Sequence, residues 1–464
     1  MKTHITSAQF PHEFTWGAAT ASYQVEGAVA EDDRTPSIWD SFSHTPGKTA
    51  HGHTGDVTCD QYHRYREDVG LMHQLGLDAY RFSLSWSRLF PHGGDTLNQK
   101  GYEYYSRLIE ELLAKGIEPV VTLYHWDLPQ ELEDAGGWPV RDTVDKFVAY
   151  AQRCFELFPQ VKRWITFNEP FCSSILGYLV GVHAPGRSDR PAAYKAIHHL
   201  LLAHGKTVQA FRAGAGTGAG AGAGSSAGSR SGQAHIGITL NLYTPRPATR
   251  RSEDLAAADR AADQQTRMFL DPILGRPYPQ RHLEAYPEVA MPIEAGDMES
   301  IAEPIDFLGL NYYWEDAVTA DYQQPEDYRH VPHYQNRTTM GWPITPEGFY
   351  RHLHWVAAET GDPPLYITEN GAAFPDQLSS DGRACSDPQR IAYLRSHFDV
   401  CRRAIADGLP LKGYYLWSFI DNFEWAHGFE QRFGIVYCDY INQRRVPKDS
   451  FYFYRDVISG MEPV

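Results

Sequence analysis

Glu118-Pro-Val-Val-Thr-Leu-Tyr-His-Trp126 decides the fold. From Val120 to Tyr124 the side chains are almost continuously apolar, without the polar–apolar alternation of a strand that is wet on one face. Such a run belongs to a strand buried on both sides, as in a parallel sheet. Seven further runs share this character: 14–20, 79–86, 163–170, 235–242, 306–313, 364–371 and 411–419. Segments with helical spacing separate them. Over 62–75, Tyr65, Val69, Met72 and Leu75 fall near one face. Over 102–113, Tyr105, Leu108, Ile109, Leu112 and Leu113 do so, and over 144–158, Phe147, Val148, Ala151, Phe155 and Phe158. Later helices are predicted at 191–212, 253–269, 346–359, 388–406 and 448–458. Strand then helix, eight times over, predicts an α/β fold, a (β/α)8 barrel taking all of residues 1–464 as one domain. The competing open doubly wound sheet is weakened because no G-x-G-x-x-G follows the first strand.

The connections divide into two kinds. Residues 213–232 are almost wholly Gly, Ala and Ser and join a helix to a strand. A flexible surface loop is expected there, on the barrel end that serves stability. The long connections that follow strands, 28–60, 128–141, 171–190, 314–345 and 423–446, would overhang the opposite rim and wall a pocket.

A formal net charge of -16 gives no basic patch for nucleic acid and no attraction to an anionic membrane. No apolar run approaches membrane-spanning length. The first residues lack the apolar segment of a signal peptide. The six cysteines, at 59, 154, 172, 385, 401 and 438, are dispersed and form no C-x-x-C. A reduced, cytoplasmic protein is expected.

Two strand ends carry the chemistry. Thr166-Phe-Asn-Glu-Pro170 and Ile367-Thr-Glu-Asn-Gly371 each run from an apolar strand into a carboxylate at a turn. Strands four and seven of an eight-stranded barrel face one another across its mouth, so Glu169 and Glu369 can share one substrate. Paired carboxylates suit cleavage of a glycosidic bond: one protonates the leaving oxygen, the other attacks or activates water.

Longer motifs accompany them: Phe14-Thr-Trp-Gly-Ala-Ala-Thr-Ala-Ser-Tyr-Gln-Val-Glu-Gly27, Tyr80-Arg-Phe-Ser-Leu-Ser-Trp86, Tyr124-His-Trp-Asp-Leu-Pro129, Asn311-Tyr-Tyr313, Leu416-Trp-Ser-Phe-Ile-Asp-Asn-Phe-Glu-Trp425 and Arg432-Phe-Gly-Ile-Val-Tyr-Cys-Asp439. In this order, over essentially the whole chain, the pattern resembles glycoside hydrolase family 1, the β-glucosidase and β-galactosidase family. The resemblance implies a retaining exo-β-glycosidase, foremost a β-glucosidase, acting on a small β-glucoside or oligosaccharide without a cofactor. It implies Glu169 as acid/base and Glu369 as nucleophile, with Arg81 and Tyr313 beside Glu369 and a carboxyl separation of about 5–5.5 Å. Gln24, His125, Asn168, Glu424 and Trp425 match positions that hold sugar hydroxyls, and Asn311 is a further substrate-binding residue by the same resemblance. Trp417 is the expected stacking platform, Phe433 an apolar wall and Trp342 the lining of the leaving-group side, with Trp126 and Cys172 bordering the entrance. A charged Glu424 would repel a 6-phosphorylated sugar, and Glu169 is the acid that thioglucoside-cleaving relatives lack. No metal site is expected: His198, His199 and His204 sit in an apolar helical run and read as packing or capping residues.

Overall fold

The computed structural model describes residues 5–215, 234–332 and 334–461. Eight parallel strands close a barrel: β1 (Thr15–Ala19), β2 (Ala79–Ser83), β3 (Glu118–Tyr124), β4 (Arg163–Asn168), β5 (His235–Leu240), β6 (Phe307–Asn311), β7 (Leu365–Asn370) and β8 (Leu411–Trp417). They follow one another round the ring in chain order, and β8 pairs with β1. Each lies inside one of the eight runs read from the sequence. The helices between them are α1 (Gln61–Leu75), α2 (Gln99–Ala114), α3 (Asp142–Leu157), α4 (Arg190–Ala215), α5 (Ser252–Ala262), α6 (Pro346–Thr360), α7 (Pro388–Ala406) and α8 (Asp449–Ile458). The insert expected at 213–232 lies, from residue 216 onward, outside the described residues.

The strands are apolar on both faces because each face is covered. Inward, Ala19, Ala79, Val120, Ile165, Phe307 and Tyr415 fill the barrel. Outward, the strands meet the helices: fully buried Phe147 of α3 packs against Phe167 of β4, ring centroids 4.4 Å apart. Burying one such ring contributes about 1.5–3 kcal/mol. Leu113, read with the buried face of α2, is 44 % exposed, because Leu112 takes the inward position and the next residue turns away by one step of the helix.

Three features escaped the periodicity. The segment after β4, read as loop, coils into a π-helix over Cys172–Val180, closed by Gly181 with φ of +76°. The helix read as continuous over 253–269 contains a π-turn at Asp263–Arg267 between two α-helical pieces. This turn lets Thr266 Oγ donate to Tyr243 O at 2.6 Å and accept from Tyr243 N at 2.9 Å, tying down the segment after β5. Finally, β4 and β7 stand three places apart round the ring, with β5 and β6 between them. Their ends therefore look obliquely, not diametrically, across the mouth.

Candidate active site

Both carboxylates leave the barrel where the ladder loses its regular register. The pairing of β4 with β5 shifts between Ile165 and Asn168, and that of β7 with β6 between Ile367 and Glu369. Such irregularities re-aim side chains at sheet rims. Glu169 has a left-handed backbone, φ +48°, and its N–H donates to Thr239 O at 3.0 Å. Beyond Glu369, a β-carbon at Gly371 would sit 1.5 Å from Trp417 O, so only glycine lets β7 approach β8 this closely.

Arg81, from β2, joins the two ends. Its Nη1 donates to Glu369 Oε1 at 2.7 Å and its Nη2 to Asn168 Oδ1 at 2.6 Å. Tyr313 OH donates to the other oxygen of Glu369 at 2.6 Å. Asn311 Nδ2 donates to Glu169 Oε1 at 2.6 Å and to Asn168 Oδ1 at 3.0 Å, and Cys172 Sγ donates to Glu169 Oε2 at 3.0 Å. Cys172, expected only to border the entrance, thus touches the carboxyl itself.

The sequence reading also missed three threonines that support these groups. Thr122 accepts from Arg81 Nε at 3.2 Å; Thr368 donates to Asn311 Oδ1 at 2.8 Å and accepts from Thr239 at 3.1 Å. Each is the hydroxyl interrupting an otherwise apolar strand, and that interruption is the signal by which they could have been found.

Glu169 is pushed up to about 7, first by burial and then by the charge on Glu369, against the pull of Asn311, Cys172 and Arg81. Burial raises Glu369 too, but Arg81 and the Tyr313 hydroxyl favour its charged form. One carboxyl thus holds a proton near neutrality while its neighbour rests on a guanidinium.

A cavity of about 490 Å³ opens over the pair. His125, Trp126, Trp342, Trp417, Glu424, Trp425 and Phe433 line it. Arg81, Asn168 and Gln24 stand just behind that surface, each at most 1 % exposed. Gln24 is fixed through Nε2, which donates to Asn422 Oδ1 at 3.1 Å and Phe423 O at 2.8 Å. Gln24 Oε1, His125 Nδ1 and Glu424 Oε2 are buried and find no hydrogen-bond partner among the described residues. Buried polar atoms are rarely left so; three around one cavity suit a ligand rich in hydroxyls. Glu424 is pushed up to about 8, chiefly by burial, with the charges of Glu369 and Glu169 adding. Its repulsion of a phosphate is therefore weaker than the sequence suggested, although no Lys or Arg is among the residues lining the cavity.

Rings make the walls. Trp342 lies 5.2 Å from Tyr313 and 5.9 Å from Phe433 between centroids. Trp425 lies 4.5 Å from Trp126, and both have left-handed backbones. An outer wall of Asn241, Tyr243, Gln265, Trp314 and His330, unremarked in the sequence, extends the cavity outward. The histidines of α4 sit elsewhere: His198 bonds Asp297 and Tyr278, His199 bonds Trp138 O and His204 bonds Thr166.

The profile of glycosyl hydrolase family 1 matches residues 6–462. The chain is 44% identical to β-glucosidase A of Acetivibrio thermocellus over 462 residues, 98% of this chain and 99% of that one. It is 46% identical to β-glucosidase A of Thermotoga maritima over 459 residues, covering 98% and 99%. A structure of the Thermotoga maritima β-glucosidase in complex with galacto-hydroximolactam superposes with a TM-score of 0.90 at 46% identity, covering 97% of this chain and 98% of that one. With two strand-end carboxylates in one ring-walled cavity and full-length similarity of this order, the chain belongs to glycosyl hydrolase family 1.

Proposed function

We propose that the protein is a retaining exo-β-glycosidase, a β-glucosidase that removes terminal non-reducing β-D-glucosyl residues from cellobiose-like oligosaccharides and aryl or alkyl β-glucosides. The observation that carries this reading is the unequal pairing of Glu169 and Glu369 over one cavity. Glu369, held between Arg81 and Tyr313, attacks the anomeric carbon. Glu169, protonated near pH 7, gives its proton to the leaving oxygen. Once Glu369 is esterified its charge is gone, the acidity of Glu169 rises, and Glu169 takes a proton from the incoming water. Two inversions leave the β-configuration.

Gln24, His125 and Glu424 offer donors and acceptors to the sugar's rim, Asn168 meets the 2-hydroxyl, and Trp417 takes the flat face. The burial of this group supports attack at a chain end, since a sugar continuing beyond it would run into protein. Trp342 and the outer wall receive the leaving group. A second glycone is favoured by the galacto-configured ligand on the Thermotoga maritima relative: Gln24 and Glu424 can hold an axial as well as an equatorial 4-hydroxyl, which makes β-galactosides and β-fucosides further substrates. A cytoplasmic enzyme fits the six cysteines, all unpaired and buried. Proton NMR during hydrolysis of a nitrophenyl β-glucoside tests the proposal: β-glucose appears first and mutarotates later. An α-product, or no turnover, overturns it.

A further inference from the structure

Trp126 stands at the end of β3 and is 7 % exposed. Its φ is +78°, a conformation that costs a bulky L-residue free energy and persists only where its surroundings impose it. What the conformation achieves is visible in its contacts. The indole Nε1–H reaches across to the neighbouring strand and donates to Asn168 O at 2.9 Å. Three rings brace the indole: Trp425 at 4.5 Å, His125 at 5.0 Å and His183 at 5.1 Å between centroids. The accepting carbonyl belongs to the peptide that joins Asn168 to Glu169, and Glu169 is itself left-handed. The N–H of that same peptide donates to Thr239 O from the β5 side. One peptide unit is thus pinned from both flanking strands, directly before the carboxyl that must meet the leaving oxygen.

We propose that the Trp126 N–H is a positioning element for the proton transfer by Glu169, acting through the Asn168 carbonyl, beyond any contact the indole ring makes with sugar. The inference rests on the reading of Glu169 as the acid. Asn168 has independent anchors for its side chain in Arg81, Asn311 and His125. Loss of the indole donor therefore leaves the 2-hydroxyl contact in place and leaves the peptide before Glu169 held from the β5 side alone.

Leaving-group dependence separates this role from simple packing. Departure of glucose from cellobiose needs protonation; departure of 2,4-dinitrophenolate does not. For both substrates kcat/KM reports the steps from binding through bond cleavage and leaves out hydrolysis of the glycosyl-enzyme. The probe is Trp126→Phe, and alongside it the chain carrying β-(3-benzothienyl)alanine at 126, which keeps the bicyclic shape and lacks only the N–H. The expected result is a fall in kcat/KM for cellobiose that exceeds the fall for the dinitrophenyl β-glucoside by about tenfold, the worth of one hydrogen bond. If Trp126→Phe does not fold, the isostere alone decides. Equal losses on both substrates, no loss on either, or a larger loss on the dinitrophenyl glucoside overturns the inference. Failure of the unsubstituted protein to turn over either substrate would instead overturn the proposed function.

Discussion

The ends of β4 and β7 each present a buried glutamate to the same cavity, yet they are furnished differently. Glu369 is gripped by a guanidinium and a phenol, one on each oxygen. Glu169 is held by an amide and a thiol, both neutral. Burial pushes both toward the neutral acid, and the cation beside one of them breaks the tie. Two side chains of one chemical type thereby take opposite parts, and the division comes from the company each keeps.

The contrast can be broken most severely at β7. Glu369→Ala removes the proposed attacking group, and turnover of a nitrophenyl β-glucoside should fall by about 10⁴-fold or more. Near-normal activity would end the assignment. At β4, Glu169→Ala should cost about 10²–10⁴-fold on substrates with poor leaving groups. Added azide should restore turnover and yield the β-glycosyl azide, identified by NMR; an α-azide would contradict retention. Removing only the phenol, Tyr313→Phe, takes away a hydrogen bond to a charged group and should lower kcat/KM roughly ten- to hundredfold. That bond favours the ionised form of Glu369, so without it the carboxyl holds its proton to higher pH and the acid limb of the pH profile moves upward.

The smallest change sharpens the comparison. As the proposed acid, Glu169 acts while protonated, so kcat/KM should fall as pH rises through about 7. The Cys172 S–H favours its ionised form. Cys172→Val should therefore displace the alkaline limb to higher pH with little loss at the optimum. A downward displacement would show that the thiol does not stabilise the carboxylate.

Much of this was legible in the sequence, for physical reasons. A strand covered on both faces must be apolar throughout, so Val120–Tyr124 and 236–240 declared a parallel sheet, and the eightfold alternation of strand and helix its closure. A turn former behind an acidic residue at a strand end marked Glu169 and Glu369. What stayed hidden depends on neighbours remote along the chain. Thr122, Thr239 and Thr368 look like β-branched filler until Arg81 and Asn311 are brought to them. The π-helix at Cys172–Val180 follows no 3.6-residue repeat, and Cys172 meets Glu169 through the turn that leads into it, its N–H donating to Glu169 O at 2.9 Å. The outer wall from Asn241 to His330 is gathered from the segment after β5, the π-turn after α5 and the connection following β6.

The last consequence concerns the far end of the barrel. α4 finishes at Ala215 and β5 begins at His235, on the side opposite the strand ends that bear the glutamates. A graft between these two points would anchor the molecule base-down, mouth outward. Immobilised on a bead or fused to a scaffold through that seam, the catalyst would keep its substrate approach clear of the support.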